Sequence, residues 1–282
     1  MSSNALTDKT PARWPAFRRT ALAALLALCP LTAGGAETLR IGGTGAGLAA
    51  AHLIGEQLRP LHPDIETEIL PSLGTSGGIR ALSEGVIQIA VALRALTPAE
   101  RQAGLQEGGC VTTALTYVSS RPHPPGLTRA QLPSLYSSAA PNWPDGLPMR
   151  IILRSRDGTE NFYLMKIIPG LESAFATAYR YSGIPVTASD QENADIAQRT
   201  EGSLAVMTLL QLHAEKPKLA AVPLDGITGS RQTIADGSYP MPIRLCLVLP
   251  ARPSSGATRF IAYVKSPPGQ ALLRSLGAEP AE

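Results

Sequence analysis

A chain of 282 residues is long enough for one large domain or two medium-sized ones, each with its own core. Its 44% hydrophobic and 17% charged residues are typical of a globular protein and exclude a chain that is disordered throughout. The first 36 residues hold four of the 25 basic and one of the 22 acidic residues, so the remainder carries 21 of each. The formal net charge of that remainder is therefore near zero. Its composition gives no indication of a basic surface that would bind nucleic acid or a membrane.

The first 36 residues have the pattern of a secretory signal peptide. Basic residues precede an apolar run over residues 21–31, and Gly34-Gly35-Ala36 supplies the small residues that a signal peptidase needs. The run of about a dozen residues is shorter than the ~20 that span a bilayer. We therefore predict a signal peptide over residues 1–36 and a periplasmic protein. An uncleaved anchor or a buried helix is the alternative, and Arg18-Arg19 leaves twin-arginine export open.

Short apolar runs alternate with segments of helical periodicity along the rest of the chain. Strands are predicted at residues 38–42, 65–70, 86–93, 111–119, 149–153, 203–207 and 243–249. Helices are predicted at residues 46–58, 76–83, 127–136, 161–168, 171–179, 193–199, 257–264 and 269–275, with another beginning at Thr97. The alternation predicts an α/β protein built from βαβ units with a parallel sheet.

Two proline-rich segments, residues 121–125 and 239–242, divide this succession of elements. Each is a candidate crossover between two halves of the molecule. We therefore predict a first lobe of residues 37–119 and 243–282 and a second lobe of residues 120–242. The N-terminal lobe is then discontinuous in sequence.

Two cysteines follow the signal segment, Cys110 and Cys246. In an oxidising compartment they can pair, and in apolar strand-like runs they can also stay buried as free thiols. The sequence leaves both alternatives open. Its cysteines and histidines lack the spacing of metal ligands, so we expect neither a metal nor a cofactor.

Three polar or glycine-rich turns, at residues 42–47, 74–78 and 154–159, each lead into a predicted helix. The N-terminus of a helix has free N–H groups and a positive dipole end, and small residues let an anion approach it. Arg154 adds a guanidinium that can bind an oxyanion through two hydrogen bonds. The alternative is that the turns are purely structural and that Arg154 is a solvated surface charge.

The chain resembles the periplasmic phosphate-binding proteins of ABC transporters. The resemblance rests on the segment from Thr75 to Leu82, on Arg94 after the third predicted strand, and on residues 154–159, which are similar to the "Arg…Ser-Gly-Thr" loop of the family. It covers nearly all of the chain beyond the signal segment. It implies a two-lobed periplasmic-binding-protein clamp with a hinge, which captures phosphate or a similar oxyanion for an ABC permease.

The resemblance also implies a binding protein without catalysis, acting as a monomer, without a nucleic-acid partner. The ligand-binding residues that it implies are Thr44, Gly45, Ala46, Ser76, Gly77, Arg94, Arg154, Asp157, Gly158 and Thr159. Ala46 stands where the family commonly has a hydroxyl residue, and Asp157 stands in place of a serine. Asp157 can accept a proton from the ligand or cap a helix, and the sequence leaves both roles open.

Other functions have weaker support in the sequence. Residues 74–78 match the G-x-S-x-G pattern of a hydrolase with Ser76 as nucleophile, but no catalytic-looking loop surrounds a downstream histidine. Residues 45–50 fit a relaxed dinucleotide fingerprint, but an exported protein rarely meets a dinucleotide cofactor. The main alternative keeps the clamp fold: a periplasmic sensor, or a degenerate relative without a transport role.

Overall fold

The structure is a computed structural model that describes residues 36–281. Its strands are β1 (Glu37–Gly43), β2 (Ile65–Ile69), β3 (Ile89–Ala92), β4 (Gln106–Ser119), β5 (Arg150–Ile151), β6 (Leu153–Arg154), β7 (Val186–Thr187), β8 (Ser203–Thr208), β9 (Ala220–Ala221), β10 (Pro242–Leu249) and β11 (Ala278–Ala281). Its helices are α1 (Gly45–Leu58), α2 (Gly74–Ser83), α3 (Pro98–Gln102), α4 (Leu132–Ser137), α5 (Thr159–Ile167), α6 (Leu171–Ala178), α7 (Asp190–Arg199), α8 (Leu209–Glu215), α9 (Arg231–Ala235), α10 (Ser255–Lys265) and α11 (Pro267–Ser275). Except for Ala36, the predicted signal peptide lies outside the described residues.

One sheet organises these elements, with its main path in the order β2-β1-β3-β10-β4-β8-β5. β1 is parallel to both of its neighbours, as βαβ units require, whereas β10 is antiparallel to β3 and β4. β9 and β11 pair with β4 beside this path, and β6 and β7 form a separate parallel pair. The predicted α/β fold class is confirmed, with a mixed rather than a purely parallel sheet.

The long strand β4 joins two parts of the sheet. Up to Ala114 it pairs with β10, and from Leu115 it pairs with β8. β10 begins at Pro242, opposite Ala114. Both predicted crossovers therefore fall at an end of one of these two strands, and the division into two lobes stays a prediction.

Helix α8, which the sequence patterns do not predict, packs against α1. Leu210 of α8 and Ile54 of α1 line one small apolar cavity and belong to one cluster of buried side chains. The Thr208 hydroxyl, at the N-cap of α8, donates to the Ala46 carbonyl at 3.0 Å. Segments from both predicted lobes thus share one apolar core.

Several predicted elements differ from the observed ones. The strand predicted at residues 86–93 begins only at Ile89, because Gly85 makes a turn with φ of 73° and Val86 stays exposed. The strand predicted at residues 149–153 is split into β5 and β6, which pair with β8 and β7 respectively. The helix predicted from residue 127 starts at Leu132, because the chain before it forms a bridge to Leu224.

Cys110 and Cys246 form a disulfide between β4 and β10. They lie directly opposite each other in the antiparallel register. Of the two alternatives that the sequence leaves open, the structure has the disulfide. Within residues 36–281, none of the helices combines the length and the apolar composition needed to cross a bilayer.

Candidate ligand-binding site

The N-terminus of α1 forms one side of the candidate site. Thr44 is the N-cap, and its hydroxyl oxygen accepts from the Ala46 N–H at 3.4 Å. The Gly45 N–H donates to the hydroxyl oxygen of Ser72 at 3.0 Å. The buried Thr44 hydroxyl donates to Oδ2 of Asp190 at 3.2 Å. The predicted residues Thr44, Gly45 and Ala46 therefore lie together, and their polar groups have partners within the protein.

A close contact between two glycines holds this turn in place. Gly43 has a φ of 121°, a region that side chains disfavour. A Cβ at Gly78 of α2 would lie 2.4 Å from the Cα of Gly43. At Gly78, α2 therefore packs directly against the turn between β1 and α1.

The other residues predicted near α2 have different surroundings. Ser76 is exposed, Gly77 is half-buried, and the buried hydroxyl of α2 belongs to Thr75, which accepts from the backbone N–H of residue 93 at 3.0 Å. The guanidinium of Arg94 makes two hydrogen bonds of 2.8 Å to the carboxylate of Glu100 in the cap of α3. Among the described residues, neither the Ser76 nor the Arg94 side chain is hydrogen-bonded to Thr44, Asp190 or Arg154, and their part in the site stays a prediction.

Arg154 forms the opposite side of the site. It ends β6 and is only 7% exposed, so the alternative of a solvated surface charge is wrong. Its Nε donates to Oε1 of Glu160 at 2.5 Å, and its Nη1 donates to the Thr187 hydroxyl oxygen at 3.2 Å and to the Ser189 carbonyl oxygen. Its Nη2 lies 3.4 Å from Oδ1 of Asp190.

The two carboxylates keep Arg154 charged. Burial alone would lower the pKa of Arg154, but the attraction of Asp190 and then of Glu160 outweighs burial and raises this pKa above its ordinary value. The cluster of one guanidinium and two carboxylates has a formal charge of −1 when all three groups are ionised. Such buried charges persist only when they are paired and hydrogen-bonded, as they are here.

The N-terminus of α5 lies beside this cluster. Gly158 is the N-cap and Thr159 the first helical residue. The Glu160 carboxylate folds back over this end, since a Cβ at Gly158 would lie 2.9 Å from Oε1 of Glu160. A carboxylate in the first turn complements the positive end of the helix dipole. Asp157 is exposed and is not the N-cap, so the carboxylates that reach Arg154 come from Glu160 and Asp190.

The patterns in the sequence miss Asp190, which contacts both sides of the site. Its helix does have a signature in the sequence: Ser189 followed three residues later by Glu192 is the start of a capping box. The Ser189 side chain accepts from the Glu192 N–H at 3.1 Å. The contact of Asp190 with Thr44 has no such signature, because 146 residues separate the two.

Fold and site together define the class of the protein: an α/β protein in which two helix N-termini flank a buried polar cluster beside a mixed sheet, as in periplasmic solute-binding clamps. The family model of the PBP superfamily domain matches residues 30–268, and the chain belongs to this superfamily. No curated protein matches the chain.

Solved structures share the fold at low sequence identity. A structure described as a phosphate ABC transporter substrate-binding protein with bound phosphate, from Clostridium perfringens, is 19% identical, with a TM-score of 0.72 over 87% of this chain and 100% of that one. An ABC-type phosphate transport receptor from Vibrio cholerae is 17% identical, with a TM-score of 0.57 over 86% and 99%. The CcmR regulatory domain from Synechocystis is 13% identical, with a TM-score of 0.50 over 85% and 97%. These similarities establish the fold that the sequence resemblance implies.

Proposed function

We propose that the protein is an exported solute-binding protein that captures a small oxyanion, phosphate in the first place, and presents it to an ABC permease. The observation that carries the proposal is the buried link from Thr44 through Asp190 to Arg154. The two oxygens of one carboxylate thus contact both the hydroxyl at a helix N-cap and a guanidinium. A tetrahedral oxyanion has oxygens at a similar spacing.

The chemistry of the donors supports an anionic ligand. The guanidinium of Arg154 offers a planar fork of N–H groups, which suits phosphate better than a lysine ammonium does. The Thr44 hydroxyl and the first turn of α5 add donors, and the N-terminus of α1 adds the positive end of its helix dipole. We place the ligand between Thr44, Gly45 and Ala46 on one side and Arg154, Gly158 and Thr159 on the other.

We further propose that the lobes of residues 37–119 with 243–282 and of residues 120–242 move about β4 and β10. These strands carry the connections between the two segments, and hinges commonly lie at such element ends. The packing of α8 on α1 then belongs to the closed form.

Two features support export to the periplasm. The signal pattern precedes β1 in the sequence, and Cys110 and Cys246 form a disulfide, a bond that persists in oxidising compartments. Capture by a soluble binding protein and delivery to a permease follow from the family resemblance.

A second candidate is a sensor or a degenerate relative with the same fold but no transport role. The observation that favours it is the pairing of Arg154 with both Glu160 and Asp190, which leaves the cluster with a formal charge of −1. A dianion entering beside two carboxylates meets repulsion that a free arginine would not impose.

A thermal-shift panel tests the proposed function. The chain from residue 37 onward is melted with phosphate, sulfate, molybdate, tungstate and small carboxylates. A ligand at about 100 times its dissociation constant stabilises the fold by about 2.7 kcal/mol. We expect phosphate to raise the melting temperature of the wild type and less so that of Thr44→Val, whereas Thr258→Val on the exposed side of α10 responds like the wild type.

The absence of a shift with every anion would reject oxyanion capture. A second outcome is that phosphate raises the melting temperature but deletion of the gene leaves phosphate uptake by the cell unchanged. That result would favour the second candidate.

A further inference from the structure

We propose that the Asp190 carboxylate is a resident competitor in the candidate site: it takes the position of an oxyanion between Thr44 and Arg154, and a ligand binds by displacing it. This inference rests on the proposed function and adds to it how the affinity of the site is set.

The two carboxylate oxygens of Asp190 bridge the two sides of the site. Oδ2 accepts from the Thr44 hydroxyl at 3.2 Å, and Oδ1 lies 3.4 Å from Nη2 of Arg154. The Asp190 side chain is 11% exposed and that of Arg154 is 8% exposed. Both donors are therefore already engaged with an anion in a buried place, where charge-assisted contacts are strongest.

The backbone around Asp190 leaves no space for a second anion at the same position. A Cβ at Gly45 would lie 2.8 Å from the Cβ of Asp190 and 2.4 Å from Oε1 of Gln191. The Gln191 amide also donates to the Gly45 carbonyl at 3.3 Å and to Glu215 at 2.7 Å. An oxyanion that reaches Thr44 must therefore move the Asp190 side chain.

Of the two carboxylates on Arg154, Asp190 is the one that can exchange. Glu160 is bound at 2.5 Å through Nε and lies in α5, six residues after Arg154, whereas Asp190 is 3.4 Å away and comes from a distant segment. When Asp190 leaves, Arg154 and Glu160 remain as a neutral pair. The Nη2 group and the Thr44 hydroxyl are then free for a ligand.

An open cavity of about 710 Å³ lies next to the segment that holds Asp190, and we infer that the displaced side chain turns towards it. The two chain neighbours of Asp190, Ser189 and Gln191, line this cavity together with Ser72, His52 and Glu215. The cavity thus reaches from α1 to the start of α7. Asp190 itself does not line the cavity, so its carboxylate would have to turn past its two neighbours to reach it, and we infer that phosphate enters from the same side.

Calorimetric titration of inorganic phosphate into the wild type and three variants of the chain from residue 37 onward tests the proposal. Asp190→Asn removes the competing charge, and Asp195→Asn is the matched control, since Asp195 is an exposed residue of the same helix whose ion pair is with Arg199 at 3.8 Å. The Asp190 carboxylate accepts a hydrogen bond from Thr44 and is ion-paired with Arg154, so it reduces the competent fraction of the site. We therefore expect phosphate to bind Asp190→Asn roughly 10- to 100-fold more tightly than the wild type. The control should bind like the wild type.

Asp190→Ala completes the test, because asparagine can still accept from Thr44 and alanine cannot. We expect the alanine variant to bind phosphate at least as tightly as the asparagine variant, with its fold verified by a cooperative melting transition. If the wild type binds phosphate and both Asp190 variants bind it equally or less tightly, Asp190 does not compete with the ligand. Oxyanion capture would still hold in that case. Failure of the wild type and of both folded variants to bind would overturn the proposed function and this inference with it.

Discussion

Replacing Arg154 by methionine should destabilise the fold strongly, because it leaves two buried carboxylates without their cation. The exposed fractions of the three side chains are 8% for Arg154, 8% for Glu160 and 11% for Asp190, so solvent screens the cluster little. Removing one partner of a buried ion pair costs about 3–5 kcal/mol. At about 2–4 °C per kcal/mol for a domain of this size, the melting temperature should fall by roughly 6–20 °C.

Calorimetric or circular-dichroism melting of the purified protein measures this change. The triple variant Arg154→Met, Glu160→Gln, Asp190→Asn should recover much of the loss, because no uncompensated charge remains. Arg199→Met is the control: its ion pair with Asp195 is 69% and 61% exposed, and exposed pairs of this kind contribute little. Melting of Arg154→Met within about 2 °C of the control would refute the account of the cluster as a buried, mutually dependent set of charges.

Three further predictions follow from other parts of the chain. Replacing Cys110 and Cys246 together by serine should lower the free energy of unfolding by about 2–5 kcal/mol in denaturant titrations, because the disulfide closes a loop of 136 residues; equal midpoints would contradict this. Hydrogen bonds from Arg94 lower the pKa of Glu100 from 4.5 to about 2, so the stability from this pair is complete above pH 4.5 and is lost as the pH falls towards 2. Glu100→Gln should therefore melt earlier than the wild type at pH 6 and lose less stability on acidification, and parallel melting curves across this range would reject the assignment. N-terminal sequencing of the exported protein should begin close to Glu37, and a mature chain that keeps the basic segment would disprove cleavage.

The parts of the fold that the sequence predicts are those that depend on local patterns. Thr97, Pro98 and Glu100 predict a helix start, and the structure has the full capping box at α3. Apolar periodicity in the same way places α1, α6 and α10 to within a few residues. These elements form where propensity, capping and burial agree.

The parts that the sequence does not predict depend on contacts between distant segments. β4 begins at Gln106, in a polar and glycine-containing stretch, because β10 pairs with it from Gln106 to Ala114. Arg154 is found from its loop pattern, but its engagement by Asp190 depends on the way that the sheet places α7 against α1. A contact between residues so far apart in the sequence produces no periodic pattern that could predict it.

A crystal structure of the chain from residue 37 onward, grown with phosphate, tests the central claim most directly. The account predicts one phosphate bound to the Arg154 guanidinium and the Thr44 hydroxyl, with the Asp190 side chain turned into the adjoining cavity. Phosphate bound elsewhere, in a protein that phosphate saturates in solution, would contradict the account. So would a structure at high phosphate concentration in which the cleft holds no anion and Arg154 still contacts both Glu160 and Asp190.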